Sequence, residues 1–227
     1  MLFSIIMPVL NEATILEQQL INLQHACAHY DYELLIVDGG STDDTPRIGQ
    51  RYGQMITAPG GRSSQMNAGA TAAQGDVLLF LHADTTLPRN ALALIEHYLN
   101  RNSVVGGAFC LRFDRGNLAY RLVALSTNLR SRLFQIYSSN QAYFIRHSSF
   151  KAIGGYPDTP WLEDQEITRK LRKQGLFILL SQPVISSAYH QQQAGLLSNI
   201  FLMWYIRILY RMGISPPRLQ RIYENVH

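Results

Sequence analysis

The chain patterns as an α/β protein with a mainly parallel central sheet flanked by helices, and three observations say so. Short apolar runs alternate with stretches of helical periodicity through the first half of the sequence. Each run is closed by Gly, Asp, Asn or Ser, residues that turn a chain or start a helix. One run, Val77-Leu-Leu-Phe-Leu81, is apolar throughout and far shorter than the roughly 20 residues a membrane span requires. It fits a strand buried on both faces, as helix-covered parallel sheets contain.

The elements follow in order. A strand is expected at about 3–9, then a helix from about Glu12 to His29 that carries Ile15, Leu16, Leu20, Leu23 and Ala26 on one face. Leu34-Leu-Ile-Val37 is a second strand, running into Asp38-Gly-Gly-Ser-Thr-Asp43, a turn rich in glycine and capping residues. A helix through Ile48 and a short strand at about 55–57 lead to the break at Pro59-Gly60-Gly61. A small-residue helix over 63–73 precedes the strand that runs toward Asp84, and Pro88 suits the first turn of the next helix. This βαβαβαβα order implies right-handed crossovers. Further on, 104–113 and 142–145 read as strands, 118–134 as an amphipathic helix, 163–173 as a helix and 176–185 as a strand. With no linker between the halves, the chain divides into one domain over 1–190 and an appendage over 191–227. The domain reads in two halves, residues 1–100 and 101–190.

Composition narrows the function. With 47% hydrophobic and 16% charged residues, the 227-residue chain is an ordered globular protein. Its net charge of +4 suits anionic phosphates or an acidic membrane surface, but lacks the dense basic stripe of a nucleic-acid binder. Cys27 and Cys110 have no metal or redox spacing and read as reduced core thiols of a cytoplasmic protein. The first residues read as a strand, not a secretory signal. The segment 196–211 is strongly apolar, with Arg207 and Arg211 one turn apart. It is expected either to pack on the protein or a second copy, or to lie at the inner face of the membrane.

Three strand ends concentrate polar residues at one sheet edge, where α/β proteins bind ligands. Pro8-Val-Leu-Asn-Glu12 closes the first strand. Asp38-Gly39-Gly40-Ser41 closes the second: its glycines admit a close-lying anionic or planar group, and Asp38 can accept from a base or ribose. Ser41 or Asp43 read equally well as helix caps. His82-Ala-Asp84 closes the strand that begins at Val77 and offers a carboxylate and an imidazole to a divalent cation, although His82 also reads as structural. Arg62, at a helix start behind two glycines, is placed to meet a diphosphate. Trp161-Leu-Glu-Asp164 sets two adjacent carboxylates behind an indole, either a helix cap or a site for a proton acceptor.

In this order these segments, with Gly75-Asp76, resemble family 2 glycosyltransferases of the GT-A fold, over about residues 2–186. Gly61-Arg-Ser-Ser-Gln-Met-Asn-Ala-Gly69 and Leu79-Phe-Leu-His-Ala-Asp-Thr85 resemble most a bacterial subgroup often associated with arsenosugar biosynthesis. The resemblance implies that Pro8, Glu12 and Asp38 hold a uridine or similar nucleoside, with Gly39 and Ser41 beside them. It implies that Arg62 and Asn67 line the nucleotide pocket, and that His82-Ala-Asp84 stands in place of an Asp-x-Asp motif. Asp84 would then bind Mg²⁺ or Mn²⁺ on the diphosphate. Asp164, beside Glu163 and Trp161, matches the base that deprotonates an acceptor hydroxyl in an inverting displacement. The chain departs from the pattern at Ser139-Asn140-Gln141, where relatives tend to read Gly-Asp-Gln. It departs again at Ala188-Tyr189-His190, where they tend to carry an arginine pair; His190 there implies a late metal ligand. The expected partner is a nucleoside-diphosphate sugar, with the acceptor unidentified. A lipid-linked acceptor at the membrane, or nucleotide-sugar binding without catalysis, are the alternatives. A nucleotidyltransferase is disfavoured by the missing glycine-rich opening loop.

Overall fold

The structure, a computed structural model, describes residues 1–157, 162–188 and positions 205, 206, 209, 210, 213, 214, 218 and 219. The first half runs β1 (Phe3–Val9), α1 (Ala13–Cys27), β2 (Tyr32–Asp38), α2 (Thr45–Gly49), β3 (Gln54–Thr57), α3 (Arg62–Ala72) and β4 (Val77–Phe80). The second runs β5 (Thr85–Thr86), α4 (Ala91–Leu99), β6 (Val104–Phe113), α5 (Leu118–Phe134), β7 (Tyr143–Arg146), α6 (His147–Ala152), α7 (Glu163–Leu171) and β8 (Leu176–Ser186). A 3-10 turn at Ser139–Gln141 precedes β7. Among the described residues the strands make one eight-stranded sheet in the order β3-β2-β1-β4-β7-β6-β8-β5.

β1 shows why the sheet is buried on both faces. Phe3, Ile5, Met7 and Val9 enter one core cluster, while Ile6 points into the other. Ser4, on that second face, donates its hydroxyl to Glu33 at 2.5 Å and accepts the Gly75 N–H at 2.8 Å, so its burial leaves no polar group unpaired. α1, α4 and α5 supply the cluster on the first face and α3, α6 and α7 the cluster on the second. α3 approaches the sheet closely at Gly69, where a Cβ would stand 2.5 Å from Ile6 Cγ2 and 3.0 Å from Val37 Cγ2.

The expectation of a mainly parallel sheet holds for β3-β2-β1-β4 and for the β6–β8 pair. The sheet as a whole is mixed, because β7 lies antiparallel between β4 and β6 and β5 lies antiparallel to β8. A four-residue strand carries no pattern that fixes its direction; the return path through α5 does. β4 also ends at Phe80, so His82, Ala83 and Asp84 form the turn beyond the strand.

α5 has the boundaries its sequence calls for, and Asn117 caps it by accepting the Tyr120 N–H at 3.0 Å. Its faces are inverted. Tyr120, Val123, Ala124, Thr127, Arg130 and Ser131 are buried, whereas Leu118, Leu122, Leu125, Leu129 and Leu133 are exposed. The segment 196–211 lies mostly outside the described residues. Of its described positions, Ile206 is fully buried in a cluster with Leu162 and Leu219, against which Leu209 and Tyr210 pack, and the Tyr210 hydroxyl donates to Glu166. Ile206, Leu209 and Tyr210 thus face the protein, whereas Tyr205 is exposed. No helix among the described residues is long and apolar enough to cross a membrane.

Candidate active site

The carboxyl ends of β1 and β2 are locked together before any ligand arrives. Gln65 of α3 donates its Nε2 hydrogens to Val9 O at 2.9 Å and Val37 O at 2.8 Å, and the Gly39 N–H donates to Val9 O at 3.0 Å. Gln65 is buried, and a Cβ on Gly39 would come within 3.0 Å of its Nε2, so the close packing requires glycine there. Past β2, Asp38 turns its carboxylate into its own loop. It accepts the Gly40 N–H at 3.3 Å, the Ser41 N–H at 3.1 Å and the Ser41 hydroxyl at 2.5 Å. Asn11, at φ 55°, accepts the Thr42 N–H at 2.8 Å, and its own N–H donates to Ser41 Oγ at 2.9 Å. Asp43 accepts from Ala13 N–H at 3.1 Å and Thr45 N–H at 2.9 Å, satisfying the start of α1 from a neighbouring loop. Hydrogen bonding with the Thr45 side chain, and after it these backbone bonds, holds the Asp43 carboxyl below its ordinary value. The capping reading is therefore right for Asp43, and Asp38 and Ser41 share one half-buried knot.

A crevice of about 490 Å³ opens beyond these strand ends, lined among others by Pro8, Glu12, Arg62, His82 and Asp84. Five of the residues singled out from sequence thus share one wall, although they come from two strand ends and a helix start. The Glu12 N–H donates to Thr45 Oγ1 at 2.8 Å, which sets the residue at the rim. The His82 Nε2 atom is buried with no hydrogen-bond partner. Burial, with a smaller contribution from the Arg62 charge, pulls this imidazole down to about 3, so the ring is neutral near pH 7. Asp84 accepts the Thr85 hydroxyl on Oδ1 at 2.9 Å, and its carbonyl accepts from Ser187 N–H at 2.9 Å, which anchors the turn to the end of β8.

Arg62 connects this crevice to the second half of the chain. Its Nη1 donates to Ser139 Oγ at 3.1 Å and lies 4.0 Å from Glu163 Oε1. Glu163 and Asp164 open α7 behind Leu162, which adopts the left-handed conformation at φ 61°. Asp164 is buried; Glu163 is nearly so, and desolvation, followed by the neighbouring Asp164 charge, raises its carboxyl above the ordinary value of 4.5. The Tyr143 hydroxyl is buried in the same neighbourhood without a partner, held protonated by burial and by the Asp164 charge. Asn140 Oδ1 is another buried, unpartnered acceptor there.

Asn67 is elsewhere. Its amide exchanges two bonds of 2.9 Å with the Tyr156 backbone and clamps the Gly154-Gly155 turn, away from the residues lining the crevice. An asparagine with both amide atoms bonded to the main chain is placed for structure, not for a pocket wall. Trp161 and His190 lie outside the described residues. Sequence reasoning missed Gln65 and Ser139. Gln65 sits inside a quoted motif, but only the two carbonyls it spans reveal its part; Ser139 becomes visible through Arg62.

Among the described residues no group of three or more His, Cys, Asp or Glu converges to cage a metal ion. Asp84 and Glu12 both line the crevice, and among the described residues the Asp84 side chain accepts its bond on Oδ1. That donor set fits a cation held mostly by substrate phosphates and water, the usual arrangement for Mg²⁺.

Comparison with known proteins agrees with this geometry. Residues 4–157 match the glycosyl transferase family 2 profile. A PGL/p-HBAD biosynthesis glycosyltransferase of Mycobacterium bovis is 34% identical over 174 residues, 68% of this chain and 63% of that protein. The chain thus spans somewhat less than two thirds of the curated relatives it first matches. A mannosyltransferase from Pyrobaculum calidifontis, solved with GDP-Man and Mn²⁺, superposes with a TM-score of 0.69 at 18% identity, covering 96% of this chain and 68% of that one. Residues 1–349 of S. aureus TarS, solved with UDP-GlcNAc, superpose with a TM-score of 0.64 at 20% identity, covering 82% and 58%. These likenesses show the GT-A fold.

Proposed function

Because the chain belongs to glycosyltransferase family 2, we propose that it moves a sugar from a nucleoside diphosphate, UDP by preference, to an acceptor hydroxyl with inversion at the anomeric carbon. The observation that carries this reading is Arg62, which lines the strand-end crevice and also reaches Ser139 and Glu163. One side chain thereby joins an anion-ready pocket to a buried pair of carboxylates. Residues 1–100 serve the donor, 101–190 the acceptor, and 191–227 form an appendage.

The nucleoside lies against Pro8, Glu12 and the Asp38-Gly39-Ser41 loop, and its diphosphate meets Arg62 and the neutral His82. Asp84 would hold Mg²⁺ or Mn²⁺, which when bound supplies charge neutralisation for the departing diphosphate. Asp164 takes the proton of the acceptor hydroxyl as that oxygen attacks the anomeric carbon. The bond from this carbon to the diphosphate oxygen breaks, and its electron pair leaves with the nucleotide. Glu163 keeps Arg62 turned toward the reacting centre, and the buried Tyr143 hydroxyl donates to the acceptor. The likeness of 61–69 and 79–85 to the arsenosugar-associated subgroup favours a small soluble acceptor. A lipid-linked acceptor is the second reading, favoured by the outward leucines of α5.

Turnover of a UDP-sugar panel by the wild type and Asp164→Asn tests the assignment, with product stereochemistry read by NMR. The variant is expected to lose ~10²–10⁴-fold in turnover, as for removal of a general base, while binding UDP as before. Undiminished turnover, or a product of retained configuration, rejects it.

A further inference from the structure

We propose that α5 is a docking surface for an anionic phospholipid bilayer. Its five exposed leucines fall at positions 118, 122, 125, 129 and 133, the spacing of one helical face. They are between 50% and 73% exposed and extend along roughly 22 Å of helix at the usual rise per residue. Large contiguous apolar faces on soluble proteins generally mark contact sites.

The helix cannot roll to hide them. Asn128 accepts the Leu111 N–H at 2.8 Å and returns a bond to Leu111 O at 2.9 Å. Ser131 donates to Thr127 O at 2.9 Å and lies 3.1 Å from Gln141 Oε1, while Arg130 Nε donates to Ile136 O at 3.2 Å. A buried polar face so bonded fixes the rotation and leaves the leucines outward.

Charge selects the occupant. Beside the stripe runs a groove of about 720 Å³ between α5 and the end of β6, with Arg112, Arg115, Arg121 and Arg132 in its lining. All four are exposed and none is in an ion pair among the described residues. α5 has no acidic residue, and the nearby Asp114 accepts from the Ala188 N–H at 3.0 Å. A second copy laid on this face would press arginine against arginine with no acid from either helix. An anionic bilayer satisfies both features, taking leucines into the headgroup boundary and guanidinium groups onto lipid phosphates.

This surface is independent of how the crevice reacts. It does have a location of consequence: the end of α5 is tied through Ser131 and Gln141 to the turn whose Ser139 meets Arg62. Docking there sets the carboxylate side of the crevice near the lipid boundary.

Flotation of the full chain with vesicles, in the absence of any sugar donor, tests the proposal. The wild type is expected to rise with phosphatidylcholine–phosphatidylglycerol vesicles and to remain behind with phosphatidylcholine alone. Leu125→Ser/Leu129→Ser should lower the bound fraction ~10-fold, in keeping with the dependence on buried apolar area. Arg121→Gln/Arg132→Gln should remove the preference for anionic vesicles. Thermal melting and UDP binding check that each variant is folded; should the leucine pair not fold, Leu122→Lys replaces it. The proposal is overturned if the wild type stays in the aqueous fraction with both vesicles, or if the folded leucine variant floats as well as the wild type. It is equally overturned if light scattering shows a dimer that the same leucine variant dissolves, which would make a second copy the occupant.

Discussion

The Glu163 carboxyl is shifted up and the His82 imidazole down by the same cause, removal from water, which favours the neutral form of each. The His82 ring loses its charge, and its buried Nε2 has no partner among the described residues, so a group that bonds to it is favoured there. Glu163 has the simpler consequence for stability. Its carboxyl sits above 4.5 in the folded chain, so the folded state holds a proton that the unfolded state has released over that window. The stabilisation is present below 4.5 and is lost as pH rises through the folded value. Glu163→Gln, neutral throughout, is therefore expected to melt higher than the wild type near pH 7, with the gain vanishing below about pH 4.5, as melting temperatures across pH would report. A variant less stable at neutral pH would mean that the Arg62 contact at 4.0 Å outweighs desolvation.

Between α3 and the sheet, one glycine sets the distance. Alanine in place of a helical glycine ordinarily stabilises by up to about 1 kcal/mol. At Gly69 the sign reverses, because the added carbon would stand 2.5 Å from Cγ2 of the fully buried Ile6. Gly69→Ala should cost about 1–3 kcal/mol through overpacking, read as a melting temperature lower by several degrees. The displacement would also pull Gln65 off the Val9 and Val37 carbonyls, so weaker UDP binding should accompany it. α5 teaches the complementary lesson. Its period and its Asn117 cap were readable residue by residue, since both are local. Which face would be buried was not, because Asn128, Arg130 and Ser131 find their partners only on β6 and in the segment following α5.

For the molecule as a whole, the crevice is assembled from strand ends that do not touch in sequence, so a ligand bridging them should resist unfolding of all at once. UDP with Mn²⁺ is expected to raise the melting temperature, a ligand at ~100-fold its Kd stabilising by about 2.7 kcal/mol. Asp84→Ala should lose the increment due to Mn²⁺ and keep that due to UDP alone; an undiminished response to the metal would assign its binding to other groups. The local pattern fixed β1, β6 and α5 to the residue, and it gathered Pro8, Glu12, Arg62, His82 and Asp84 at one edge, because chain termination by polar residues after apolar runs is a local signal. The reversed insertion of β7, the bond of Arg62 to Ser139, the clamp made by Asn67 and the outward leucines belong to the folded chain alone. The bonds of Arg62 and Asn67 span tens of residues and those that turn the leucines outward leave the helix itself, and no periodicity within a segment records which atom outside it a side chain will meet.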